Sequence, residues 1–285
     1  MHHPGTLVIT GLGLIGGSAA AAASAAGWRV RLHHRRPGVA DAAAERGWGT
    51  AYADLAAATA DADLALIGAP APAVPDLARA LLAAGPGLIV TDLASTKRGI
   101  CAALAAEGRA GRFVGSHPMC GSHHQGLQHA DPDLYRDATV VLTPEPGTPA
   151  AATAAVRGLW ESLGGRCRTL AADSHDRAVA SASHLPHVLA ATSAALLCDD
   201  GADLAATGFR DTSRVAAASP RLWRDILQEN RHAVRDLLAV CHEHLATLDR
   251  ALAADDAAAI EAWLETGRAG RERFDRRQRH QPANS

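Results

Sequence analysis

The segment Gly11-Leu-Gly13-Leu-Ile-Gly16-Gly-Ser18 carries a G-x-G-x-x-G spacing. It follows a short apolar run and opens a long alanine-rich stretch, and in that setting each glycine has a task. Gly11 makes a tight turn, Gly13 lets backbone approach a pyrophosphate, and Gly16 lets helix and strand pack closely. Leu14 and Ile15 then begin a helix whose unpaired N–H groups face phosphate. A glycine-rich turn without a ligand is the plainer alternative. About twenty residues further on, NAD enzymes place an acid against the ribose 2′-hydroxyl. This chain reads Leu32-His33-His34-Arg35-Arg36 at that point. With no carboxylate there and two guanidiniums able to clasp a 2′-phosphate, His34, Arg35 and Arg36 point to NADP rather than NAD. Solvated loop charges are the competing reading of the two arginines.

A second set of candidates is imidazoles: His117, His123, His124, His184 and His187. His184 and His187 are three apart and share a helical face. Nothing in the chain matches H-E-x-x-H or a cysteine ligand set, and Cys241-His-Glu-His244 is too tightly spaced for such a helix. No metal is therefore expected. The five cysteines contain no C-x-x-C pair and read as small core residues rather than a disulfide framework.

The elements that must position these groups are legible as patterns. Short apolar runs at 7–10, 30–33, 64–68, 88–92, 113–116 and 139–143 look like strands buried on both faces of a parallel sheet. They alternate with alanine-rich helical segments, the βαβ arrangement. From Asp173 onward the pattern is helical, and Asp173-Ser-His-Asp176 reads as an N-cap with an acid at N3. Leu222, Ile226, Leu227, Val234, Leu237, Leu238, Cys241, Leu245 and Leu248 recur at three- and four-residue steps, predicting an amphipathic helix. The expected fold class is α/β. A Rossmann-like doubly wound parallel sheet over 5–171 precedes an all-helical domain over 172–285, with a charged, frayed tail from 268.

Composition narrows the functions. In 285 residues, 48% hydrophobic, 28 basic and 30 acidic side chains are scattered to a net charge of −2. No single-sign field points to nucleic acid or a membrane surface. Residues 1–6 lack a leader pattern, and no stretch reaches roughly 18 uninterrupted apolar residues. A cytoplasmic protein acting on a small molecule is expected.

Three further segments complete the picture: Asp92-Leu-Ala-Ser95-Thr-Lys97, then Gly115-Ser-His117-Pro118-Met119-Cys-Gly121-Ser122, then a helical group. That group comprises Ser183-His184-Leu-Pro186-His187, Gly208-Phe209-Arg210-Asp211-Thr-Ser-Arg214 and Pro220-Arg-Leu-Trp223-Arg-Asp225-Ile-Leu-Gln-Glu-Asn230. In order and spacing, with the glycine fingerprint, they resemble the prephenate/arogenate dehydrogenase family from residue 7 to about 274. The resemblance implies removal of a hydride from a hydroxyl-bearing ring carbon while the ring carboxylate leaves as carbon dioxide. That chemistry needs a neutral imidazole to take the hydroxyl proton, a role that falls to His117. By the same resemblance Ser95 shares the bond to that hydroxyl. A dianionic substrate in a water-poor cleft needs a cation, for which Arg214 is the candidate, with Arg210 and Asp211 helping to position it. Ser183 and His187 line the same cleft, and Trp223 either packs on the ring or belongs to the core. Lys97 is left without a role.

One departure matters. The family commonly has a glutamate two positions after the glycine of H-P-M-x-G, where this chain has His123 beside Ser122 and His124. Ser122 and His123 would lie against the substrate. The exchange leaves open a pyruvyl side chain as in prephenate, an alanyl one as in arogenate, or an amino-substituted prephenate of specialised metabolism. Control by tyrosine stays open too. The resemblance also implies a homodimer through the helical half. Competing readings are a 3-hydroxyacid or 6-phosphogluconate type, which would need a lysine absent from 173–187, and a non-catalytic dimeric Rossmann sensor.

Overall fold

The computed structural model describes residues 4–109, 111–121 and 124–279. Five parallel strands form the first sheet: β1 (Thr6–Thr10), β2 (Arg29–His33), β3 (Thr50–Tyr52), β4 (Leu64–Ile67) and β5 (Ile89–Asp92), in the order β3-β2-β1-β4-β5. The intervening helices are α1 (Leu14–Ala25), α2 (Val39–Ala44), α3 (Leu55–Thr59) and α4 (Val74–Ala84), and α5 (Arg98–Ala106) follows β5. A second sheet joins β6 (Gly115–Pro118), β7 (Thr139–Thr143) and β8 (Arg166–Thr169), with α6 (Ala150–Ser162) between the last two. A parallel bridge between Val90 and Phe113 links the two sheets, so β6 leaves β5 running in the same direction.

The parallel sheet follows from its sequence. Every residue of β1 and β4 is buried. Because side chains alternate between faces, Leu7 and Ile9 pack with Ala19, Ala20 and Ala23 of α1. Val8 joins Val74, Ala78 and Leu81 of α4 and Ile100 and Leu104 of α5 on the other face. Two strands were invisible to the apolar-run reading. β3 has only three residues, and β8, Arg-Cys-Arg-Thr, is a largely exposed edge strand. Nor is the arrangement parallel throughout, since β6 and β7 pair antiparallel.

The helical part comprises α7 (Ala172–Val179), α8 (Leu185–Ala195), α9 (Asp199–Leu204), α10 (Thr207–Ser213), α11 (Pro220–Glu229), α12 (Arg231–Ala253) and α13 (Ala257–Arg279). A π-helical turn, Ala180–His184, joins α7 to α8. The chain divides into two compact units, Met1–Val234 and Arg235–Ser285.

Four local expectations are corrected. Asp173 is not an N-cap: α7 starts after Ala171 with no side-chain cap, and Asp173 lies in its first turn. The apolar stripe from Leu222 to Leu248 belongs to two helices, because α11 ends at Asn230 before α12 begins. The charged tail is helical to Arg279, held by ion pairs one turn apart such as Arg271–Asp275 and Arg276–Glu272, the spacing that supports a solvated helix. Of the cysteines only Cys101 is fully buried, and Cys198 is exposed.

Candidate active site

The glycine-rich turn is built as its spacing demands. Gly11 has φ +94°, and a Cβ there would lie 2.5 Å from the Gly68 carbonyl oxygen at the end of β4. A Cβ on Gly16 would come within 1.9 Å of the Gly11 carbonyl oxygen, whereas one on Gly13 would meet nothing within 4 Å. The turn is therefore closed on its protein side and open above Gly13. Helix α1 begins there with no side-chain cap and no acid in its first turn, so the N–H groups around Leu14 and Ile15 are available to an anion. Leu14 and Ile15 contribute their carbonyls to the fold instead: Ser18 Oγ donates to Leu14 O and Tyr135 Oη to Ile15 O. The residues present fit a dinucleotide.

At the end of β2, His34 Nδ1 accepts a 3.0 Å hydrogen bond from the Arg36 backbone N–H. Arg35 and Arg36 are exposed just beyond it. The His34 imidazole is held below its ordinary value, first by burial and then by the cationic charges of Arg36 and Arg35. The corner is a cationic one.

Beyond β5 a buried ion pair organises the next wall. Lys97 Nζ donates to Asp92 Oδ2, both side chains fully buried, and to the Ser116 carbonyl at 2.9 Å. Asp92 also accepts from the backbone N–H groups of Ala94 and Ser116. Lys97, unassigned from sequence, thus ties the loop carrying Ser95 to the strand carrying His117. Ser95 itself is half-buried on that loop.

His117 is half-buried at the carboxyl end of β6. Its pKa lies well below 6.5, through burial first and then the nearby His175, Lys97 and His184. The chain after β6 is fastened to the glycine-rich turn and α1. Asp131 N donates to Ser18 Oγ at 2.9 Å, and Gly17 leaves room for Leu127 and Ala130. Ser122 and His123 lie outside the described residues.

The helical residues gather around a π-helical turn, a departure frequent at functional sites. Ser183 is half-buried within it. His187 is buried on α8, stacked on Trp223 with ring centroids 3.5 Å apart, and its Nδ1 has no hydrogen-bond partner among the described residues. Trp223 also meets the His184 ring edge-on at 5.9 Å. Arg214 opens the 3-10 turn Arg214–Ala217 and is exposed; that turn packs on α8. Arg210 and Asp211 are exposed and pair with each other at 3.8 Å.

Comparison with known proteins places this arrangement. The sequence model described as prephenate dehydrogenase, nucleotide-binding domain, matches residues 19–169, and the one described as prephenate dehydrogenase, dimerization domain, matches 171–266. The cyclohexadienyl dehydrogenase of Zymomonas mobilis is 34% identical over 261 residues, 88% of this chain and 89% of that one. The chain belongs to the prephenate dehydrogenase family. A prephenate dehydrogenase of Lactococcus lactis is 32% identical, spanning 92% of this chain and 75% of that one. The crystal structure of Synechocystis arogenate dehydrogenase superposes with a TM-score of 0.82 at 29% identity, covering 94% of this chain and 99% of that one. The protein is a dehydrogenase of this family with a nucleotide-binding domain, and the relatives it matches are cyclohexadienyl and prephenate dehydrogenases.

Within this family member, sequence reasoning overlooked His175, Asp176 and Tyr135. In the sequence His175 and Asp176 mark only the start of a helix. Asn230 ends a sequence motif that gives it no task; its Nδ2 donates to the Asp176 carbonyl at 2.7 Å and bonds His184 Nδ1 at 3.1 Å.

Proposed function

We propose that His117 is the general base of this dehydrogenase, that Ser95 orients the ring hydroxyl, and that NADP is the preferred cofactor. The observation that carries the reading is a neutral, half-buried imidazole at the carboxyl end of β6, four residues before Gly121, where a Cβ would lie 3.5 Å from Ile15 of the glycine-rich turn. Bound at that turn, the nicotinamide supplies the hydride acceptor. His117 takes the hydroxyl proton as carbonyl character develops at the ring carbon losing hydride. The carbon–carboxylate bond breaks, its electrons close the aromatic ring, and carbon dioxide leaves while the proton returns to the phenolic oxygen. Ser95 and His117 hold the hydroxyl in place, worth far more than their contact energy alone. Arg214, exposed beside α8, meets a substrate carboxylate, and Ser183, His187 and Trp223 line the same pocket.

Arg35, Arg36 and His34 support the NADP half, because no carboxylate stands at the end of β2 to receive a ribose hydroxyl. The same reading divides the chain into a cofactor domain over 5–171 and a helical domain over 172–285 that pairs into a cytoplasmic homodimer. A panel of prephenate, arogenate and an amino-substituted analogue, each with NADP and NAD, tests it by absorbance at 340 nm. Turnover of at least one acid with higher kcat/KM for NADP is expected. Higher kcat/KM for NAD overturns the cofactor assignment, and a flat trace in all six combinations overturns the activity.

A further inference from the structure

A general base needs more than a low proton affinity: one ring nitrogen must present a bare lone pair toward the substrate. Which nitrogen does so is set by what the other one bonds. In this chain the second nitrogen of His117 begins a continuous line. His117 Nδ1 lies 2.9 Å from His175 Nε2, and His175 Nδ1 lies 2.7 Å from Asp176 Oδ1. His175 and Asp176 are both buried. The two rings meet edge-on, with centroids 5.1 Å apart.

With His175 neutral, donor and acceptor counting sets every proton along that line. A carboxylate only accepts. The Asp176 carboxylate already accepts from two backbone donors at the start of α5, Lys97 N at 2.8 Å and Arg98 N at 3.0 Å, which holds it in one orientation. His175 therefore donates from Nδ1, and as a neutral ring it accepts at Nε2. His117 must then donate from Nδ1, which leaves its Nε2 unprotonated. A His175 ring protonated on both nitrogens would instead donate to His117 Nδ1 and leave His117 with a proton where the base is needed.

We propose that His175 and Asp176 are positioning residues that lock His117 in its Nδ1–H form, so that Nε2 is the basic atom offered to the ring hydroxyl. This rests on the reading of His117 as the base and names the machinery that makes it one. The logic matches that of an acid orienting a histidine in hydrolytic triads, where the wrong tautomer alone costs up to about 10⁴-fold in rate. Here a second imidazole spans the gap between acid and base. Asp176 serves two structures at once, the helix start and the relay, so a merely structural role has to be separated from the proposed one.

The test uses the intact enzyme labelled with ¹⁵N in histidine, with the His117 resonances assigned by their loss in His117→Asn. The wild type is expected to show a neutral Nδ1–H ring at His117; an Nε2–H ring overturns the proposal without any variant. Two substitutions at 175 then separate roles. Asparagine retains a group toward Asp176 but falls short of His117, whereas the glutamine amide oxygen can occupy the place of Nε2. His175→Asn is expected to lose the Nδ1–H preference and about 10²–10⁴ in kcat, with cofactor affinity unchanged. His175→Gln is expected to restore most of both. Wild-type tautomer and kcat in His175→Asn overturn the relay. If His117→Asn itself keeps wild-type kcat, the base assignment fails instead.

Discussion

His184 shows how a single side chain couples site and stability. Its ring is almost wholly buried, Asn230 bonds its Nδ1, and burial pushes its pKa down to about 4. His117 is displaced in the same direction. An unfolded chain binds protons to both rings near pH 6.5, so between that value and the folded pKa the unfolded state holds more protons than the native one. Stability is then complete above pH 6.5 and declines as pH falls toward about 4. Thermal melts at fixed ionic strength should show Tm dropping between pH 6.5 and about 5, before most carboxylates titrate; a flat Tm there contradicts neutral burial. Lys97 makes the complementary point. Paired to Asp92 with no exposed surface on either side chain, it cannot be removed without stranding a buried charge, a loss of about 3–5 kcal/mol.

At the level of elements, the contact of β1 with α1 depends on two glycines with different duties. Gly16 is a packing requirement, since a methyl there would enter the Gly11 carbonyl 1.9 Å away. Gly13 faces open space and is a binding requirement. Gly16→Ala is expected to cost stability, about 1–3 kcal/mol as for overpacked sites, along with cofactor affinity. Gly13→Ala should unfold at the wild-type denaturant midpoint yet bind cofactor more weakly. Urea titration with cofactor binding measured in parallel checks both; equal stability losses would dissolve the distinction. The junctions between helices carry similar weight. The π-helical turn adds a residue's width to the α7–α8 stretch, and the break at Asn230 delivers an amide to both His184 and Asp176.

For the whole molecule, the unit Arg235–Ser285 poses the remaining question. Its two long helices leave Val240, Leu245, Leu252, Leu264 and Phe274 about half or more exposed, while Trp263 stacks on His244 and donates to its carbonyl. Apolar residues repeated along a helix need a partner surface, and in the proposed homodimer a second copy supplies one by two-fold symmetry. Light scattering at micromolar concentration should give the mass of a dimer. Leu245→Glu with Leu252→Glu should shift it toward the monomer, and a monomeric wild type would remove the expectation. Among the described residues no helix is long and apolar enough to cross a membrane.

The linear chain by itself determined what depends on near neighbours. Glycine spacing specified the turn, because steric demands at Gly11 and Gly16 are met within a few residues. Continuous apolar runs marked the strands buried on both faces, and ordered motifs identified the family. Short or exposed elements escaped: β3 and β8 bury too little to leave a pattern. Only the tertiary structure decided the company His117 keeps. Asp176 caps a helix 79 residues before it in sequence, His175 reaches His117 across 58, and Asn230 reaches His184 across 46. Such bonds require two distant segments to arrive at hydrogen-bonding distance together, and no period or propensity in either segment records the meeting.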